Sequence, residues 1–185
     1  MRKLLFIFLS LAAHVHAKEA HMVVEAYSGK VLSASNSTEK RPVASLTKMA
    51  TAIVAVDWAN ASGADIATEM IRVPDIVLQI NSTSQIKLAP GDTLTLRDAL
   101  YAALLSSDNI AALSIAHHVG TKLLEHRGKG GNAVLEFVAE MNKLAKSTFA
   151  KNTLFVNSHG LDNGPKPGYS TAADMARISI HAMRR

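Results

Sequence analysis

A mixed α/β fold of the α+β kind is predicted for this chain by three observations. Two β-type stretches, 22–27 and 31–35, flank the turn signal Ser28-Gly29-Lys30 and read as a hairpin. After them, apolar residues recur at helical rather than alternating spacing: Met49, Ile53, Val56 and Ala59, and later Val134, Phe137, Val138, Met141, Leu144 and Ala145. Finally, 185 residues with 48% apolar and 19% charged content suit one domain with its own core and exclude a disordered or collagen-like chain.

The elements follow in order. Arg41 and Pro42 end the hairpin, and Ser45 opens a helix whose interior is largely Ala and Val. Residues 60–95 read as loops with small strands near 70–73 and 85–88, and Pro90-Gly91-Asp92 is a turn. Thr95, three residues before Asp98, is a helix N-cap, and the apolar run to Leu105 is a buried helix. The polar residues 106–109 break it. A second helix spans 110–119 and stops before Gly120; a third follows the loop containing Gly128, Gly130 and Gly131. Residues 157–169 are loop-like, and a last helix over 171–183 is capped by Ser170 or Thr171. There is no internal repeat.

Lys and Arg outnumber Asp and Glu by 20 to 15, but the basic residues are scattered, so nucleic acid is not an expected partner. Arg2 and Lys3 precede the apolar run 4–13, and Val15 and Ala17 occupy the positions of a small-residue cleavage site. This pattern reads as a signal peptide over 1–17, leaving a domain over 18–185. The run is too short for a membrane-spanning helix, so no span is expected once the signal is removed. Having no cysteine, the chain has no disulfide, thiol nucleophile or thiolate metal site, a pattern that fits the bacterial envelope.

A serine one helical turn before a lysine puts hydroxyl and amine on one face, where the amine can take the hydroxyl proton. Ser37/Lys40, Ser45/Lys48 and Ser84/Lys87 all have that spacing. Lys40 lies in a polar stretch where it stays solvated and protonated. Ser84 leads toward a predicted strand, where an offset of three does not share a face. Only Ser45 opens an apolar helix able to desolvate Lys48, which makes Ser45 the candidate nucleophile. Ser107-Asp108-Asn109 then falls in the break between two helices, where side chains can point into a cleft.

These two elements are followed by Phe155-Val156-Asn157-Ser158-His159-Gly160-Leu161 and Ser170-Thr171-Ala172-Ala173-Asp174-Met175-Ala176. In that order they resemble the serine D-alanyl-D-alanine carboxypeptidases and related penicillin-binding endopeptidases. The resemblance implies a DD-peptidase/β-lactamase-like fold, an antiparallel sheet with a helical subdomain. It also implies acyl transfer on peptidoglycan stem peptides and inhibition by β-lactams, in the periplasm or extracytoplasmic envelope, with no cofactor and no metal. Ser45 would be the nucleophile, Lys48 its base, Ser107 a proton relay, and Asn109 a substrate-binding residue that also helps orient Lys48. Asp108 would be a variable middle position, and the Ser45 N–H one oxyanion donor.

The family's third motif, Lys-Thr-Gly on a cleft-lining strand, is not found in these residues. The expectation is a domain without its C-terminal strands, inactive as it stands. A serine β-lactamase-like hydrolase is the enzymatic alternative, disfavoured because there is no Glu-x-x-x-Asn loop; a non-catalytic peptidoglycan-binding remnant is the other. His117 and His118 point about 100° apart on a helix and are read as structural or surface residues, and His159 either lines the cleft or, as the favoured reading, fills a turn.

Overall fold

The computed structural model describes residues 19–161 and 167–184. The signal-like segment 1–17 and the turn residues Asn163, Gly164 and Pro165 lie outside the described residues. Strands β1 (His21–Val24) and β2 (Val31–Ser35) pair antiparallel as the predicted hairpin. A second antiparallel pair joins β3 (Met70–Arg72) to β4 (Thr93–Thr95). The remaining elements are helices: α1 (Thr47–Ser62), α2 (Leu96–Leu105), α3 (Asn109–His126), α4 (Ala133–Ser147) and α5 (Ala172–Met183).

The helices start where side-chain oxygens satisfy their first free N–H groups. Thr95 accepts from Asp98 N for α2, Asp108 from Ala111 N for α3, Asn132 from Leu135 N for α4 and Thr171 from Asp174 N for α5. The two threonine caps match the sequence prediction. Helix α1 begins differently: a 3₁₀ turn over Ala44–Leu46 leads into Thr47, so Ser45 sits in the approach to the helix rather than inside it.

Two expectations are corrected. Residues 85–88 form no strand; the chain turns there, and Lys87 has φ 62°. Helix α3 does not stop at residue 119 but runs through Gly120 to His126. A Cβ at Gly120 would lie 1.8 Å from the Ala133 carbonyl oxygen, so this glycine allows the start of α4 to press against α3. It marks a close crossing, not a helix end.

The larger of two apolar clusters among the described residues forms where α1, α2, α3 and α4 meet, built from Ile53, Leu96, Ile115, Phe137 and Met141 with many alanines between them; the smaller joins Val73 and Val77 to Ile110 and Leu113. The small side chains let the helix axes approach closely, as ridge-into-groove packing requires. Helix α5 adds Met175 and Ile178 to the larger cluster. All five residues of β2 are exposed, including Leu32 at 61%.

Candidate active site

Lys48 lies on the first turn of α1 and is among the largest fully buried side chains, 2% exposed. A lysine so placed must find acceptors. Its Nζ donates to Ser45 Oγ at 3.0 Å, to Ser107 Oγ at 3.4 Å and to the His159 carbonyl oxygen at 2.9 Å. Ser107 Oγ in turn donates to Ser45 Oγ at 2.9 Å. Ser45 and Ser107 are exposed. Two hydroxyls therefore face solvent above a buried amine, in an open cleft of about 420 Å³ whose wall includes Val43, Met49 and Leu104.

Burial holds the Lys48 amine below its ordinary value of 10.5, against the charge of Asp108, which pulls it back up. The neutral amine is thus easier to reach here than at a surface lysine. Two residues flanking the nucleophile region have left-handed backbone: Ala44 (φ 43°) and Ser107 (φ 57°). Non-glycine residues in that region cost about 1–3 kcal/mol and persist where the surroundings fix them. Here they aim the two hydroxyls at each other.

The other two Ser-x-x-Lys pairs do other things. Lys40 stacks over the Tyr169 ring with Nζ 4.5 Å from its centroid, and Ser84 donates to Asp108 Oδ2 at 2.6 Å. Neither forms a serine–lysine site.

Asn109 departs from its sequence reading in one respect. Its Nδ2 donates to Ser82 Oγ at 2.8 Å, and its Oδ1 is buried without a hydrogen-bond partner among the described residues. The group that orients Lys48 is the His159 carbonyl. Residues 157–161 form a clip for this purpose. Asn157 Oδ1 accepts from His159 N and Gly160 N, and its Nδ2 donates to the Leu161 carbonyl. The next acceptor along the clip, the Ser158 carbonyl, takes the Thr51 hydroxyl at 2.7 Å. Gly160 has φ 85°, and a Cβ there would lie 1.8 Å from the Ala44 carbonyl oxygen, so only glycine lets the clip close onto the turn before Ser45.

His159 thus borders the cleft as well as filling the turn: its carbonyl holds the Lys48 amine, while its buried ring accepts from Leu161 N and is pushed down to about 4 by burial and by Lys48. Sequence reading located this segment but could not assign the role, because a backbone carbonyl carries no residue signature. Asp108, read as a variable position, is 1% exposed and hydrogen-bonded.

His117 and His118 form no metal site; among the described residues there is no cluster able to hold a metal ion. His118 Nε2 meets Glu69 Oε1 at 2.8 Å and packs edge-on against Trp58. In a roomier concavity of about 470 Å³ beside His117, Thr121 and Asn132, the Thr121 hydroxyl donates to the His117 carbonyl oxygen and not to its ring.

The profile of the peptidase family described as D-alanyl-D-alanine carboxypeptidase matches residues 9–185. The chain belongs to that family. It is 31% identical over 169 residues to the D-alanyl-D-alanine carboxypeptidase DacF of Bacillus subtilis, covering 91% of this chain and 40% of the relative. A D-alanyl-D-alanine endopeptidase of Escherichia coli is 30% identical over 164 residues, covering 89% and 47%. Among solved structures, Penicillin-Binding Protein D2 from Listeria monocytogenes in its ampicillin-bound form superposes with a TM-score of 0.72 at 25% identity, covering 89% of this chain and 61% of that one. The chain thus spans less than half the length of these two curated relatives. Its mixed architecture of helices and small antiparallel sheets is that of the DD-peptidases, and among the described residues no helix is long and apolar enough to cross a membrane.

Proposed function

We propose that these residues carry the nucleophile and base of a serine DD-peptidase acting on peptidoglycan stem peptides. The observation that carries the reading is the triangle of Ser45, Lys48 and Ser107, with the amine buried beneath two exposed hydroxyls.

In this reading the neutral Lys48 amine takes the proton of Ser45 as its Oγ attacks the carbonyl that follows a D-alanine. The Ser45 N–H, at the start of the α1 approach, faces the developing oxyanion. Ser107 passes a proton to the leaving amine, because its hydroxyl touches both the nucleophile and the base. The His159 carbonyl keeps the amine aimed through this exchange. Asn109 as a substrate-binding residue rests on the resemblance of Ser107-Asp108-Asn109 to the family's motif; here its amide is tied to Ser82 and its Oδ1 is buried. Water then releases the acyl group. The carboxypeptidase and endopeptidase relatives share this step and differ in which amine leaves.

No Lys-Thr-Gly triplet occurs in the 185 residues. By the resemblance, the strand bearing that motif supplies the second oxyanion N–H; a missing donor alone lowers turnover about 10²- to 10³-fold, so acylation by these residues by themselves is expected to be slow. The ampicillin-bound relative supports β-lactams as probes. The signal-like residues 1–17 support an extracytoplasmic, periplasmic place of action.

The test is labelling of the purified chain with a fluorescent penicillin. A covalent adduct on Ser45 that is absent from Ser45→Ala supports the nucleophile assignment and refutes the expectation that these residues are inactive by themselves. An adduct that persists in Ser45→Ala overturns the assignment, and muropeptide binding without any adduct favours a non-catalytic cleft.

A further inference from the structure

Asp108 stands between two residues placed in the site, and its buried carboxylate joins three parts of the chain. Oδ1 accepts from Ala111 N at 2.9 Å and caps α3; Oδ2 accepts from the Ser84 hydroxyl at 2.6 Å and from Gln85 N at 2.7 Å. Its own N–H donates to the Ala102 carbonyl at 3.0 Å, tying the break back to α2. Two residues before Ser84, Ser82 accepts the Asn109 amide at 2.8 Å. The segment 82–85 belongs to no helix or strand, so these side-chain bonds are what fasten it to the site.

We propose that Asp108 is a positioning residue. Its carboxylate fixes the 82–85 segment against the start of α3 and so holds the Asn109 amide and the left-handed Ser107 in the arrangement where Ser107 meets Ser45.

The chemistry requires a carboxylate and not just any cap. An asparagine would still cap α3 through its oxygen, but its amide nitrogen cannot accept the Ser84 and Gln85 donors. Bonds of 2.6 and 2.7 Å to a carboxylate are of the strong, charge-assisted kind. The strained φ of Ser107 needs such fixed surroundings to persist. Asp108 and the His159 ring are the ionisable groups facing Lys48 from the packed segments around it.

This rests on the reading of Ser45 as nucleophile, and the experiment separates the two claims. In the full chain, Ser84→Ala removes one bond and keeps both the charge and the α3 cap; Asp108→Asn keeps only the cap. Expected is a maximal rate of Ser45 acylation by fluorescent penicillin lowered about tenfold in Ser84→Ala and further in Asp108→Asn, with the half-saturating concentration changed less than about twofold. Acylation at the unaltered rate in Ser84→Ala overturns the proposal. If the unaltered chain itself is not acylated, as the missing third motif leads one to expect, the brace is judged by NMR. There, Ser84→Ala should shift the Asn109 side-chain amide signals and speed Gln85 amide exchange at least about tenfold. Unchanged Asn109 and Gln85 signals overturn it.

Discussion

Lys48 is the residue whose chemistry depends most on its surroundings. Its buried amine is held below 10.5, so the unfolded chain binds more protons between the folded and the ordinary value, and stability rises with pH across that window. For the same reason Ser45 acylation is expected to speed up as pH climbs through the folded value, and Lys48→Ala to slow it about 10²- to 10⁴-fold above that value and less below it. His159 titrates in the acid range. Its folded value of about 4 lies below 6.5, so the unfolded chain takes up the proton first as acid is added. Stability should fall by up to about 3 kcal/mol from pH 6.5 to 4, and a denaturation series in which His159→Gln removes that slope would confirm it. The serine and lysine types were legible in the sequence. The carbonyl that aims Lys48 was not, since any residue could supply it.

Among the elements, the crossing of α3 and α4 shows how tertiary contact overrides local preference. Alanine in place of Gly120 gains about 1 kcal/mol of helix propensity. Its Cβ would, however, fall 1.8 Å from the Ala133 carbonyl, and overpacking of that sort costs about 1–3 kcal/mol or more. Gly120→Ala is therefore expected to lower the thermal midpoint, where the same change on an open helix would raise it. The clip at 157–161 gives a matching case: Gly160→Ala should cost about 2–4 kcal/mol and slow acylation as well, because the clash displaces the Ala44 turn beside the nucleophile. Thr95 and Thr171 were readable as caps because capping is local; Thr171→Ala should cost about 1 kcal/mol in chemical denaturation. The end of α3 was misread because glycine marks both helix ends and close crossings.

Over the molecule as a whole, the helices bury their small residues against one another, while β2 lies open to solvent with Val31 and Leu32 exposed. Unpaired strand edges bearing apolar side chains are templates for pairing with another chain. Concentration-dependent association of the purified chain is expected in sedimentation experiments, and Leu32→Lys should reduce it without changing helical content.

The sequence by itself determined the hairpin and the succession of helices, because these rest on periodicity and capping; its four motifs in order carried the resemblance to the family, and the polarity of near neighbours singled out Ser45 as the candidate among three identical spacings. Tertiary structure alone decided that Lys48 is aimed by a carbonyl 111 residues away and that Asp108 gathers α2, α3 and the 82–85 segment. These contacts join groups far apart along the chain through backbone atoms and bridging bonds, and no local pattern of residue types encodes either.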